Sequence, residues 1–341
     1  MLTAGDFPAT IRVDLDVAYR EGSDTGADET YRQMLRIIPT RSKAKEEVFY
    51  GDKGRLRRFR GERQPQSFNE YKQIVTLDKW EYTITVDSDV LEDDQTGGAL
   101  SNKVRNFGNA VATSKEIETW EYLHNGTSIK GFDGQNLFDF YHVYTDSKGV
   151  DHNDFTGATQ SNMHLGGSQL DATTLQLDQA HFANILSDKG KVMGMRLTHV
   201  ATKRGSLNSK AARELSNSQF TVEASTARGQ MTTNVFQGSF THIEFDYGFG
   251  ASEWLSMDLR DGEMKPIIIL SHNSEGFDNL VFTQLLEDSD TGFWRDEFAF
   301  GVKGRFDWNP GDWRSVYLHG SSSYTFTPAD SESQRILYPN A

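Results

Sequence analysis

The chain has 341 residues, 36% of them hydrophobic and 25% charged, and no cysteine. That composition gives one large folded domain or two intertwined ones, and it rules out disulfides, thiolate metal sites and cysteine nucleophiles. The net charge of −14 argues against a protein that wraps nucleic acid.

The first eight residues, Met1 to Pro8, have neither the basic nor the apolar region of a signal peptide. Residues 1 to about 27 show no sustained period and are expected to form an extended arm. Asp28 to Ile38 has the spacing of a short helix, with Asp28 as N-cap, Tyr31, Leu35 and Ile38 on one face and Pro39 after its end. From Glu46 to Leu91 the signal turns to β, with strands over 68–77 and 80–86 on either side of Asp78-Lys79. Residues 99–124 carry the strongest helical stripe: Leu100, Val104, Phe107 and Val111, then Ile117, Trp120 and Leu123. At about 1.5 Å per residue that helix would run ~39 Å, and Asn125-Gly126 should end it.

Beyond it, Gly131 to Tyr144 reads as loop plus strand and Asp146 to Gly167 as a surface loop. A second helix is expected from an Asp171 N-cap to Lys189-Gly190, a strand over 192–201 and a short helix over 206–215. Further strands fall at 235–247, 266–271 and 298–306. The longest apolar run, Pro266 to Leu270, is a buried strand and far short of the ~18 residues that cross a bilayer. The fold class is α+β.

Charge is unevenly spread. Between Arg41 and Arg63 nine basic residues meet four acidic ones, so this stretch is net +5 and the remainder −19. Lys53 to Gly61 is polar, bounded by glycines and too poor in apolar residues to be core, so it should project from the body as a hairpin. Lys53, Arg55, Arg57, Arg58, Arg60 and Arg63 are the candidate contact residues. Phe59 alone gives little stacking surface for a nucleic acid, and the acidic remainder would repel phosphates. Contact with an acidic protein surface is the better reading, and other copies of this chain supply one.

The common fingerprints of cofactor and hydrolase chemistry are absent: no GxGxxG, P-loop, HExxH or GxSxG occurs. His142, His152 and His164 lack ligand spacing and read as solvated loop residues. Asp288 to Gly292 resembles the start of a calcium loop, but Ala299 stands where the bidentate glutamate belongs, so a turn is expected. Pairs such as Asp93-Asp94 carry no catalytic weight without geometry. No catalytic, metal or cofactor site is expected, and the chain reads as a non-enzyme.

Gly131-Phe132-Asp133-Gly134-Gln135-Asn136-Leu137-Phe138-Asp139, followed by His142-Val143, resembles the YDGQ-x-F-F-D-x-x-HP signature of the Mu-like phage major head subunit family. Phe132 stands for the usual Tyr and Val143 for the usual Pro. As in that family, the motif follows a long helix, itself preceded by a β excursion ending in an acidic segment, here Glu92-Asp93-Asp94. Phe300 to Arg305 and Trp313 to Gly320 are similar to the family's closing strand region. The resemblance implies the capsid fold named after phage Hong Kong 97: an N-terminal arm (1–43), an E-loop β-hairpin (44–80), a P-domain with a spine helix at 99–124 (81–169), an A-domain (170–296) and a C-terminal return to the P-domain (297–341).

It further implies a major capsid protein of a tailed bacteriophage, made in the bacterial cytoplasm. Such a protein forms hexamers and pentamers of an icosahedral virion shell around double-stranded DNA, without sequence-specific DNA binding and without a membrane. A separate scaffolding protein and a portal are the expected partners; the sequence does not decide whether a decoration protein joins them. No covalent cross-linking is expected, because arginine, which cannot act as the nucleophile, dominates around Lys53. Two other classes compete. A β-rich surface adhesin or carbohydrate-binding module suits the aromatics and glycines but calls for an export signal. A hydrolase working with carboxylate pairs calls for a deep pocket with perturbed carboxylates.

Overall fold

The computed structural model describes residues 9–26, 29–52, 58–59, 61, 63, 70–87, 98–142, 144–145, 151–152, 160–167, 169–187, 190–222, 231–285 and 297–321. Among them the helices are α1 (Ala9–Thr25), α2 (Ala99–His124), α3 (Ala172–Asn184) and α4 (Leu207–Asn217). The strands of the first half are β1 (Leu35–Thr40), β2 (Ala44–Tyr50), β3 (Glu70–Thr76), β4 (Asp78–Asp87), β5 (Tyr144–Thr145), β6 (Asp151–His152) and β7 (Met163–Leu165). Those of the second half are β8 (His199–Lys203), β9 (Phe220–Val222), β10 (Met231–Thr233), β11 (Thr241–Phe245), β12 (Trp254–Met257), β13 (Ile267–His272), β14 (Val281–Leu285), β15 (Glu297–Pro310) and β16 (Val316–Gly320). The architecture is α+β, as the sequence implies.

Two five-stranded sheets organise the chain. The first runs β1-β13-β15-β14, with β4 also paired to β15. β1 lies parallel to β13, from Leu35 opposite Ile267 to Thr40 opposite His272. Ile267 to Leu270 are wholly buried, which explains their unbroken apolar run: a strand covered on both faces needs no polar alternation. The second sheet runs β11-β8-β12-β16-β7. The closing stretch therefore serves both sheets, β15 in the first and β16 in the second.

α2 joins two cores. Its first half buries Val104, Phe107 and Val111 against Leu15, Ala18 and Tyr19 of α1 and against Val86, Phe300 and Val302 of the first sheet. Its last turns bury Trp120 and Leu123 in the main core, which holds Phe138, Phe245, Phe277 and Trp308. The helix ends at His124, with Asn125 at the C-cap, as the Asn-Gly pair implies.

The N-terminal segment departs from expectation. Residues 9–25 form α1 where an extended arm was expected, and 35–38, expected to end a helix, belong to β1; Glu29–Met34 before it is a short 3-10 turn. The helical stripe of α1 was hidden because glycines stand on it, Gly22 within the helix and Gly26 one residue past its end. Leu15, Ala18, Tyr19, Gly22 and Gly26 share one face, and there the backbone itself is the contact. A Cβ on Gly22 would overlap the Arg105 carbonyl, one on Gly26 would lie 2.6 Å from the Asn109 oxygen, and one on Gly108 would overlap the Tyr19 carbonyl. Pro39 is tolerated in β1, where the short parallel strand pairs with β13 alone.

Other boundaries move for local reasons. Asp78 and Lys79, expected to separate two strands, open β4, which pairs with β15 from Asp78 opposite Phe306 to Asp87 opposite Glu297. Asp171 caps α3 through a reciprocal capping box with Thr174, but the helix stops at Asn184. Ile185 leaves the helical conformation there, and its carbonyl accepts from Met193 N–H. Met193, Met195 and Leu197 alternate inward as a strand would, yet ladder pairing starts only at His199.

Candidate intersubunit interface

β2 and β3 form the stem of the expected hairpin, antiparallel from Ala44 opposite Thr76 to Tyr50 opposite Glu70. Side chains alternate across a strand, so Glu47, Phe49, Tyr71, Gln73 and Val75 face the body. Phe49 and Val75 are buried and pack with Ile38, Leu77, Ile268 and Leu270. The stem is thus part of the core, unlike the polar stretch Lys53 to Gly61 that the sequence sets outside it. Its outer face carries the exposed Tyr50 and Ile74 and a Lys72–Glu46 ion pair at 2.8 Å.

Charged side chains fasten the root where β2 leaves the body. Arg36 on β1 pairs with Glu47 at 2.8 Å, and Lys191 with Asp52 at 2.6 Å. Arg314 and Asp312 are both buried. The Arg314 guanidinium donates to both Asp312 carboxylate oxygens, at 2.8 and 2.6 Å, in the fork that arginine alone provides. It donates further to the carbonyl oxygens of Tyr50 at 3.2 Å and Gly51 at 3.5 Å. The same guanidinium lies 5.4 Å from the centre of the Phe132 ring, and Phe132 stacks on Phe49 at 4.5 Å and 12°. A cavity of about 420 Å³ opens beside this root, lined by Arg36, Asp52, Met193, Glu263, Met264 and Arg314 among others.

Of the contact residues chosen from sequence, Arg58 and Arg63 are exposed, as is Phe59 between them. Lys53, Arg55, Arg57 and Arg60 lie outside the described residues, so no common face can be drawn for the six. Sequence reasoning missed Arg314, Asp312, Lys191 and Asp52. The one available signal was the closing motif itself, whose Arg314 sits between two core residues, Trp313 and Val316.

The segment 131–142 is built around a buried polar knot. His142 Nδ1 lies 2.7 Å from Asp133 Oδ2, and its Nε2 lies 3.0 Å from Asn162 Oδ1. Asn162 Nδ2 donates to the Leu137 carbonyl at 2.6 Å and to the Trp313 carbonyl at 3.3 Å, while its Oδ1 accepts the Asp139 N–H at 2.9 Å. The His142 ring stacks on Trp313 at 3.8 Å and 7°. His142 is therefore a satisfied core residue, not the solvated loop histidine expected; its partners lie 9 and 20 residues away in sequence, beyond what spacing can show. His164 is exposed, and the side chain of His152 lies outside the described residues, as do Asp93-Asp94 and Asp288 to Gly292. Burial raises the Asp139 carboxyl against the pull of three backbone N–H groups and the nearby His142. Among the described residues no group of three His, Asp or Glu is placed to hold a metal ion, and no helix is long and apolar enough to cross a membrane.

Residues 9–169 match the family described as Mu-like prophage major head subunit gpT. That stretch contains α1, the hairpin stem, α2 and the 131–142 segment of the knot. No curated protein matches the chain. Among solved structures, the procapsid of bacteriophage JBD30 is 18% identical, with 92% of this chain and 75% of that one covered at a TM-score of 0.47. The capsid of cyanophage P-SCSP1u is 10% identical, with 84% and 86% covered at 0.49. The mature capsid of bacteriophage PhiM1 is 8% identical, with 88% and 89% covered at 0.49.

Proposed function

We propose that the chain is the major head protein of a tailed bacteriophage, a structural subunit that assembles with copies of itself into the icosahedral shell enclosing double-stranded DNA. The observation that carries this reading is the family match over 9–169, whose span includes the knot that the sequence resemblance singled out. The structure supplies a physical reason for that knot: Phe132 abuts the hairpin root and His142 abuts the closing strand region. On this reading residues 1–43 are the arm, 44–80 the E-loop, 81–169 the P-domain with α2 as spine, 170–296 the A-domain and 297–341 the return. The protein resides in the virion and acts without catalysis.

The basic segment then has a use. Lys53, Arg55, Arg57, Arg58, Arg60 and Arg63 meet the acidic body of an adjacent copy, where arginine forks pair with carboxylates. One exposed pair is worth only ~0–1 kcal/mol, but several pairs repeated over a whole shell decide register and closure. A separate scaffolding protein and a portal complete the particle, and the DNA is enclosed without sequence-specific contact.

Light scattering of the purified chain tests this reading. Closed particles, or hexamers and pentamers of a shell, are the expected result. A monodisperse monomer at high concentration, together with absence of the chain from virions, would contradict it.

A further inference from the structure

We infer that Arg314 is the positioning residue that sets the direction in which the basic hairpin leaves the body, with Phe132 and Asp312 as the parts that hold it in place. The inference rests on the proposed shell role only for its consequence; the latch itself is read from the geometry.

The ladder of the stem ends at Tyr50 opposite Glu70. Phe49 is the last buried residue of β2, and the buried residues that follow, Gly51 and Asp52, bring no apolar side chain. Apolar side-chain packing therefore fixes the stem up to Phe49, and polar bonds take over beyond it. The next two carbonyl groups, those of Tyr50 and Gly51, are held by the guanidinium of a residue 264 and 263 positions away. A backbone carbonyl bonded from outside its own ladder is a directional restraint, since the donor must lie near the carbonyl plane. Two successive carbonyls bound to one rigid, planar donor fix an angle as well as a distance.

The donor is itself immobile. Its Nε and terminal nitrogen are committed to both oxygens of Asp312, which also caps the short 3-10 turn Trp313–Ser315 through the Arg314 N–H at 3.0 Å. Phe132 closes one side of the guanidinium and stacks on Phe49, so the last packed residue of the stem and the latch share one aromatic ring. The Lys191–Asp52 pair adds a second tether one residue further out. A cavity of about 420 Å³ lies beside the root. The bonds that hold the segment after Phe49 are the two carbonyl bonds and the Lys191–Asp52 pair, and Asp312 keeps the guanidinium charge satisfied when the carbonyl bonds break. A shell built from copies in unlike surroundings needs such a joint: fixed in the free subunit, yet released by directional bonds and not by unpacking a core.

Arg314→Lys keeps a cation beside Asp312 but cannot span both carbonyls and the carboxylate. Hydrogen exchange on the unassembled subunit should show amides at 48–52 and 70–72 exchanging about tenfold faster or more, with α2 and β15 unchanged. Phe132→Leu should give a smaller shift of the same pattern, and Phe132→Tyr should behave as the parent; these two decide the matter if the lysine variant fails to fold. Shells formed by Arg314→Lys should spread in diameter where the parent's are uniform. Exchange at the root within twofold of the parent in both Arg314→Lys and Phe132→Leu would overturn the latch. Faster exchange in a chain whose parent forms no shell would leave the latch standing and remove the shell reading.

Discussion

α1 and the β2–β3 hairpin are both attached to the body at its margin, and they are attached in opposite ways. α1 lies on α2 through glycine. At Gly22, Gly26 and Gly108 the two backbones touch, and no side chain could be inserted without moving a helix. Around that contact Tyr19 stacks on Phe282 at 4.6 Å and 3°, Glu21 pairs with Arg105 at 2.8 Å and Thr113 donates to the Gly26 carbonyl at 2.8 Å. The hairpin root, in contrast, is fastened by charges: Arg314 with Asp312, Lys191 with Asp52, Arg36 with Glu47. Close packing is lost abruptly when its shape is disturbed, because interiors have the density of crystals. Directional polar bonds can break and reform with little change elsewhere. The comparison assigns α1 a permanent place and the hairpin an adjustable one.

The sharpest way to break the comparison is at Gly108. Gly108→Val places a branched side chain against the Tyr19 carbonyl, and overpacking of that kind costs about 1–3 kcal/mol, with more when backbone is the obstacle. The expected outcome is loss of α1 from α2, read as protease cleavage within 9–25 and a lower melting temperature. A melting point equal to the parent's would mean that the crossing is looser than the structure has it.

Next comes the root. Asp312→Ala leaves the buried Arg314 charge without its carboxylate, and removing one partner of a buried pair costs about 3–5 kcal/mol. Lys191→Ala should cost less, because Lys191 is 35% exposed and water can reach the place it vacates. Chemical denaturation of the two variants should rank them in that order; the reverse order would mean that the Lys191–Asp52 pair is the principal fastening.

The tip should matter least to the fold and most to assembly. Arg57→Glu with Arg58→Glu should shift stability by no more than ~0.5 kcal/mol, as surface changes do, while shell formation is blocked or weakened. High salt should mimic part of that effect, since screening shortens the reach of exposed charges. Normal shells from the double variant at physiological salt would make the tip a passive loop.

The smallest effects are those of pH, and two groups pull in opposite directions. Burial holds the His181 imidazole below its usual pKa of 6.5. The unfolded chain thus takes up this proton before the native one does, and stability falls as pH drops below 6.5. Asp307 is pushed up to about 6 by burial, with the Asp78 charge adding to the rise. The native state binds that proton more readily, so this group adds stability as pH falls from about 6 to 3.8. Asp307→Asn should therefore stabilise the chain at pH 7.5 and lose its advantage near pH 4, while His181→Gln should flatten the slope below pH 6.5. Denaturation midpoints at several pH values would show both; an Asp307→Asn advantage independent of pH would contradict the assignment.

How legible was this in the sequence? α2 was, in both of its bounds, because apolar residues recur on it from Leu100 to Val111 and again from Ile117 to Leu123, and an Asn-Gly pair ends it. The buried strand at 267–270 was legible for a similar reason. α1 was not, because a helix that packs through glycine removes the side chains that mark its stripe. The hairpin was found from its charge, but its root was not. Arg314 is one arginine among many in sequence, and only the fold brings it to carbonyls more than 260 positions away. The 131–143 motif was seen as a pattern, while its cause, a buried His142 joined to Asp133 and Asn162, needed coordinates.

The account stands or falls on where the basic tip goes. An electron-microscopy reconstruction of particles assembled from the parent chain answers this directly. The account predicts closed shells in which residues 53–63 of each copy lie against carboxylates of an adjacent copy, with the Arg314 guanidinium still on the hairpin root. Shells in which those residues point into solvent, away from every neighbour, would contradict it.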